Sequence, residues 1–190
     1  MEFNFKINRV IELEETTSTQ DIAKALAETS ALEDCVLVQA QRQSAGRGRY
    51  ERVWDAKDGG LYISLLLNPG NKVQNTADLS IKTGQAVALA LNELYGIKTK
   101  IKLPNDVLAY DGKEYKKISG ILIESAYNRD RLEWLVIGIG VNLNNKTAKN
   151  LNAISVKEIT DEKTDVEVFR STLLKHFADK YLQWKMNNQN

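Results

Sequence analysis

Gly46-Arg47-Gly48-Arg49 is the densest chemical signal in the chain, with Arg42 before it and Arg52 and Trp54 after it. Glycines let backbone N–H groups approach a ligand closely. Guanidinium groups bind carboxylate or phosphate bidentately. An indole stacks on a flat ring or covers the site. The set suits a ligand that carries several negative charges. A solvated RG-type loop, or one that touches RNA, has the same composition. Glu51, Asp55 and Asp58 follow at once and weaken that second reading.

Three further clusters matter. In Lys102-Leu103-Pro104-Asn105-Asp106 a cation, an amide and an acid crowd a proline-fixed strand end; a plain turn with local Asn and Asp hydrogen bonds fits as well. In Lys116–Glu124, strict alternation puts Lys117, Ser119, Ile121 and Ile123 on one face of a strand. Ile118, Gly120, Leu122 and Glu124 take the other. Lys117 at the strand start could present its ammonium to a site at the sheet's end, and Gly120 suits close approach by a ligand or backbone. A surface lysine and an edge glycine fit the same spacing. Gly138–Asn144 is not a dinucleotide fingerprint, because no helix pattern follows it. It reads as a strand leaving through an Asn-rich turn.

The elements that must hold these residues are legible from periodicity. Residues 5–15 alternate as a first strand. Within the stretch 16–28, Thr17 or Ser18 can cap a helix whose apolar side includes Ile22, Ala23 and Leu26. Residues 35–41 read as a buried strand, 43–60 as a long loop, and 61–68 as a strand stopped by Pro69-Gly70. A helix is expected over 78–95, with Leu79, Val87, Leu91 and Leu94 inside and Gly96 just past its end. A strand is expected from 97 to Pro104. A hairpin follows over 107–126, turning at Asp111-Gly112. Residues 132–144 read as a long strand. Residues 166–184 form an amphipathic helix with Phe169, Leu173, Phe177 and Tyr181 inside. The expected fold class is α+β, a mixed sheet with helices mainly on one face.

Composition narrows the chemistry. The 190 residues carry 26 Lys+Arg against 25 Asp+Glu, a net charge of +1, which gives no global pull toward nucleic acid or an anionic membrane. Cys35 is the only cysteine and His176 the only histidine. An internal disulfide and Cys-based zinc sites are therefore excluded, and most Ser-His-Asp and multi-His designs go with them. No stretch approaches a membrane span of about 20 apolar residues. The start, MEFNFKINRV, lacks the apolar core of a secretory signal, so a cytoplasmic location is the default. The tail, MNNQN, reads as frayed. Length argues for one domain over 1–190.

Together and in this order, TTSTQ (16–20), QSAGRGRYERVW (43–54), KLPND (102–106), KKISGILIE (116–124) and GIGVNLN (138–144) resemble the biotin protein ligases. The GRGR loop followed by a tryptophan is the most diagnostic piece. The resemblance implies a catalytic domain like that of class II aminoacyl-tRNA synthetases. It implies the ligation of biotin to a lysine of a biotin carboxyl carrier protein, with ATP and Mg2+, through biotinyl-5'-AMP. It places Ser18, Thr19 and Gln20 at the biotin ureido ring. Gln43, the backbone around Gly46, Gly48 and Gly120 fall along the biotin pocket. Arg47 and Arg49 fall at the carboxylate and phosphate, Trp54 beside the adenine, and Asn142 and Asn105 near the nucleotide. Lys117 matches the lysine at the reacting carboxylate and α-phosphate. Asp106 matches an acid that orients or deprotonates the acceptor lysine. No protein ligand for the magnesium is identified.

Departures from the family are visible too. Gln20 stands for a usual Asn, Leu103 for a usual Trp that walls the biotin, and Glu51 for a usual Gly, and the hairpin between Asp106 and Lys117 looks extended. Neither a preceding helix-turn-helix nor a following small β-barrel is expected, and without the former DNA is not expected as a partner. Relatives often pair through their sheets. A homodimer is one expectation, with an exposed strand edge serving either that contact or the carrier. Two alternatives stay open: a lipoate-type acyl ligase or transferase, and a non-catalytic biotin- or adenylate-binding module. An RNA-binding RG-loop protein is disfavoured by the near-zero net charge.

Overall fold

Seven alternating or apolar stretches pair into one sheet, and the helices cover it. A computed structural model describes residues 5–29, 35–69, 76–129, 131–148 and 150–188. In chain order the elements are β1 (Arg9–Thr16), α1 (Thr19–Thr29), β2 (Cys35–Gln43), a 3-10 turn (Arg49–Glu51), β3 (Leu61–Leu67), α2 (Thr76–Tyr95), β4 (Thr99–Lys102), β5 (Asp106–Tyr110), β6 (Tyr115–Asn128), β7 (Arg131–Val141), α3 (Val156–Thr160) and α4 (Val166–Asn187). Strand order is β1-β2-β3-β7-β6-β5-β4. Only β1 and β2 run parallel; every other neighbouring pair is antiparallel. Gly70, the ends of MEFNFKINRV and MNNQN, and the Glu51 side chain lie outside the described residues.

Both faces of the sheet centre are dry, which explains why β3 is a continuous apolar run buried at every position. On one face Leu37, Leu65, Ile137 and Ile139 meet α2 and α4 in the larger core. On the other, Val36, Val38, Leu66 and Val136 meet Ala23 of α1, with Ile22 and Leu26 at the margin. The expected α+β class holds, with α2 and α4 on one face and α1 alone on the other. The predicted Phe169, Leu173, Phe177, Tyr181 stripe is buried and Trp184 extends it. Asp165 caps α4 by accepting from the Glu167 and Val168 N–H groups.

α1 begins at Thr19, directly after Ser18, one of the two expected cap positions; the Ser18 carbonyl accepts from Asp21 and Ile22, and the Thr19 N–H is taken by the Gln43 side chain of β2 at 2.7 Å. β7 ends at Val141 and leaves, as expected, through an Asn-rich turn, in which Asn145 Nδ2 donates to Asn142 Oδ1. Two expectations need correction. The 43–60 stretch is more than a long loop: bridges Gln43↔Ala56 and Arg47↔Val53 fold it into a small hairpin. Nor does β6 alternate strictly. Val107 pairs with Ser119 but Leu108 pairs with Lys117, so Ile118 is a bulged extra residue. Ile118 turns into the larger core, and Lys117 comes to the side of Gly120.

Candidate active site

The α1 side of the sheet holds a cavity of about 300 Å³. Its floor is made of glycines. A Cβ on Gly138 would stand 2.6 Å from Gln20 Oε1, one on Gly140 2.7 Å from the Trp54 indole, and one on Gly120 3.0 Å from the same ring. Residues 138, 140 and 142 project to this side in turn. Gln20, Trp54 and Asn142 therefore follow one another along β7, and Trp54 divides the cavity into two lobes.

The first lobe is a polar chain. Gln43 Oε1 accepts from the Thr19 N–H and lies 3.2 Å from Thr19 Oγ1, whose hydroxyl donates to Ser64 Oγ at 2.9 Å because the Ser64 proton goes to Gln20. Ser64 Oγ donates to Gln20 Oε1 at 3.0 Å, and Gln20 Nε2 donates to the Val136 carbonyl at 3.4 Å. Ser18, Thr19, Gln20 and Ser64 are all buried. Buried polar groups must be paired, so this chain fixes a rigid donor and acceptor surface. The longer Gln20 is accommodated because Gly138 leaves room for its amide.

The second lobe lies beyond Trp54. Asn142 Nδ2 donates to the Ile154 carbonyl and Asn145 Nδ2 donates to Asn142 Oδ1. Thr147, Ala148 and Leu151–Ala153 complete its wall. That segment is tied to Lys117 itself. The Lys117 N–H donates to the Asn152 carbonyl at 3.0 Å and the Ile154 N–H donates to the Lys117 carbonyl at 2.9 Å. A capping box holds the segment's far end: Ser155 Oγ accepts from the Glu158 N–H, and the Glu158 carboxylate accepts from the Ser155 N–H.

Lys117 stands where the lobes meet. Its Nζ lies 2.7 Å from Asp106 Oδ1 and 5.2 Å from the Trp54 ring centre. Lys117 meets Asp106 Oδ1 as an ion pair rather than an aligned hydrogen bond, and among the described residues Trp54 Nε1 is a buried donor with no hydrogen-bond partner. Asn105 is set by its side-chain donation to the Ile121 carbonyl.

The arginine loop arches over this centre. Its stem is closed by Trp54 N–H to Gly46 carbonyl at 2.9 Å and Gly48 N–H to Arg52 carbonyl at 2.7 Å. Arg47 Nη2 reaches Asp21 at 2.7 Å and Glu124 at 3.1 Å, which ties the loop to α1 and β6. Arg49 donates to the Tyr50 hydroxyl and lies over its ring.

Of the sequence-derived residues, Ser18, Thr19, Gln20, Gln43, Arg47, Gly48, Arg49, Trp54, Asn105, Asp106, Lys117, Gly120 and Asn142 all border the cavity. Gly46 sits behind the wall, where a Cβ would meet the Trp54 carbonyl at 2.6 Å. Leu103 is 67% exposed and does not line the cavity. Sequence reasoning missed Ser64, Tyr62, Gly138, Gly140, Asn145, Thr147, Ala148 and Leu151–Ala153. Ser64 alone carried a signal, as the one polar residue in the apolar run 61–67.

A family model described as the Biotin/lipoate A/B protein ligase family matches residues 12–142, more than half of the chain. The Bacillus subtilis bifunctional ligase/repressor BirA is 42% identical over 129 residues, 67% of this chain and 38% of its own length. A biotin–[acetyl-CoA-carboxylase] ligase of Paracoccus denitrificans is 34% identical over 180 residues, 87% of this chain and 70% of its own length. The chain thus spans well under half of the Bacillus subtilis relative. Among solved structures, the Aquifex aeolicus biotin protein ligase in complex with biotin and ATP matches with a TM-score of 0.79 at 33% identity. That match covers 95% of this chain and 73% of that one.

Proposed function

Since the chain belongs to the biotin/lipoate A/B protein ligase family, we propose that it activates biotin with ATP and passes the biotinyl group to a lysine of a biotin carboxyl carrier protein. The observation that carries this reading is the cavity that Trp54 divides, with the Lys117–Asp106 ion pair at its waist and Trp54 Nε1 in its wall without a hydrogen-bond partner among the described residues.

The polar chain Gln43–Thr19–Ser64–Gln20 suits a small ring with both donors and acceptors, such as the biotin ureido group. The lobe beyond Trp54 suits the nucleotide, with the indole as a stacking surface. A carboxylate oxygen of biotin attacks the α-phosphorus of ATP. The bond from that phosphorus to the bridging oxygen breaks and pyrophosphate leaves. Bringing a carboxylate to a polyphosphate needs fixed positive charge, and catalysis lies mainly in positioning and charge stabilisation. Lys117 supplies that charge at the meeting point, and Arg49 and Arg52 supply it from the loop. The carrier's amine nitrogen then attacks the acyl carbon, the acyl–phosphate bond breaks, and AMP leaves. Asp106 orients that amine and receives its proton.

Magnesium enters with the nucleotide as part of the substrate. Among the described residues no group of three or more His, Cys, Asp or Glu side chains could hold a metal, and magnesium commonly keeps water and phosphate oxygens as ligands.

The test is biotin- and ATP-dependent pyrophosphate release by the purified chain, with lipoate as the control acid. Release with biotin alone is expected. Release with lipoate alone overturns the substrate, and silence with both overturns the enzyme reading.

A further inference from the structure

α1 packs against β2, β3 and β7, so its cover stops short of β4 and β5. α2 does reach β4 and β5, but from the opposite face: its Gly84 lies against Ile101, Val107 and Ile121. The cavity side of β4 and β5 is therefore an uncovered ledge that adjoins Asp106. Three lysines stand on it. Lys102 is paired across the ladder with Asp106 and Lys100 with Leu108. The Lys98 carbonyl accepts from the Tyr110 N–H and continues that ladder. Positions 98, 100 and 102 share one face because strand side chains alternate, and all three are exposed.

Their charges are free. Among the described residues no carboxylate lies within ion-pair distance of Lys98, Lys100 or Lys102. Lys100 makes only a contact with the Tyr115 ring, at 5.1 Å. Residues 98–117 hold six lysines against Asp106, Asp111 and Glu114, a local charge of 6 − 3 = +3 in a chain of net +1. Arg42 and Arg170, by contrast, are paired, Arg42 with Glu14 and Glu15 and Arg170 with Glu12. Tyr110, 36% exposed, adds an apolar element to the same ledge.

We propose that the Lys98–Lys100–Lys102 strip docks an acidic face on the protein domain that delivers the acceptor lysine. The inference rests on the ligase reading above. Transfer requires a protein amine to arrive at Asp106, and the uncovered ground beside Asp106 is this ledge. Unpaired cations in a row select an acidic surface, orient it and speed the encounter. A bulky domain anchored there approaches along β5, clear of the arginine loop.

The experiment compares the full chain with its Lys98→Glu/Lys100→Glu/Lys102→Glu variant and with the corresponding triple Gln variant. Three readouts are taken: pyrophosphate release, transfer to a small amine (Nα-acetyl-lysine methyl ester), and initial rates against a biotin carboxyl carrier domain. The first two should be unchanged. The KM for the carrier should rise about tenfold in the Glu variant at low salt, and less in the Gln variant. Added salt should raise the wild-type KM and leave the variant's flat. A carrier whose carboxylates near the acceptor lysine are changed to amides should lose the same factor against wild type and nothing more against the variant. An unchanged carrier KM and salt slope overturn the proposal and leave the lysines as guards of an exposed strand edge. So does a strip that binds a single-stranded RNA oligonucleotide while carrier transfer is unaffected. Failure of wild type to release pyrophosphate sinks the ligase reading first, and the docking inference with it.

Discussion

The main chain of Lys117 donates to Asn152 and accepts from Ile154, so its backbone is satisfied outside the β5 ladder. The side chain takes no part in that backbone pairing; it meets Asp106 Oδ1 at 2.7 Å. Lys117→Ala should lower adenylate formation by roughly 10²–10³-fold, in line with the loss of one preorganised charge contact. Its thermal midpoint should stay close to wild type. Pyrophosphate release beside a melting curve checks both, and a variant with full activity refutes the central role. The glycine floor makes the opposite kind of demand. Gly140 leaves no room for a side chain, since a Cβ there meets the indole at 2.7 Å. Gly140→Val should expel Trp54 from between the lobes. The overpacking should cost about 1–3 kcal/mol, and the variant should lose biotin and ATP binding together. Trp54 fluorescence and calorimetric titration report the two effects. Gly120 and Lys117 were legible in the sequence as candidate site residues, whereas Gly138 and Gly140 read only as part of a strand. The side of the strand on which Lys117 stands was not legible, because periodicity has no term for a bulge.

Strands, hairpin and amphipathic helices were readable because each buries a regular apolar stripe, as the Phe169-to-Tyr181 spacing of α4 shows. The bulge at Ile118 and the segment 151–154 were not readable. Both are fixed by backbone hydrogen bonds that any residue type can make, and the segment's own side chains carry no period. The capping box is where that segment meets regular structure. Ser155 is fully buried and bonds Glu158 in both directions. Ser155→Ala removes the side-chain half and should cost about 1 kcal/mol, a fall of roughly 2–4 °C in midpoint for a chain of this size. The loosened segment is the wall of the second lobe. The KM for ATP should therefore rise while that for biotin holds. An equal rise in both would mean that α3 supports the whole site rather than one lobe.

At the scale of the molecule, the site is a stretch of sheet surface that α1 leaves bare, backed by a dry core on the other face. That arrangement makes its integrity depend on groups that must stay uncharged. Tyr62 of β3 lines the cavity, is 1% exposed, and donates its hydroxyl to the Lys57 carbonyl at 2.7 Å. Burial holds its hydroxyl far above the usual tyrosine range, with Asp55 and Asp58 pushing the same way. Tyr95 is raised by burial as well. The folded state therefore keeps these protons more tightly than the unfolded chain does. Their contribution to stability is complete below the unfolded tyrosine pKa of about 10 and is lost progressively as pH rises above it. Stability should fall steeply above pH ~10. Tyr62→Phe should be less stable near neutrality by about 1 kcal/mol, the net worth of one hydrogen bond. It should nonetheless lose less between neutral and strongly alkaline pH, because it has one fewer buried proton to surrender. Denaturant midpoints of the two proteins at neutral and alkaline pH decide the matter. Curves that run parallel across that range would show that the Tyr62 hydroxyl is not among the groups whose ionisation opens the fold.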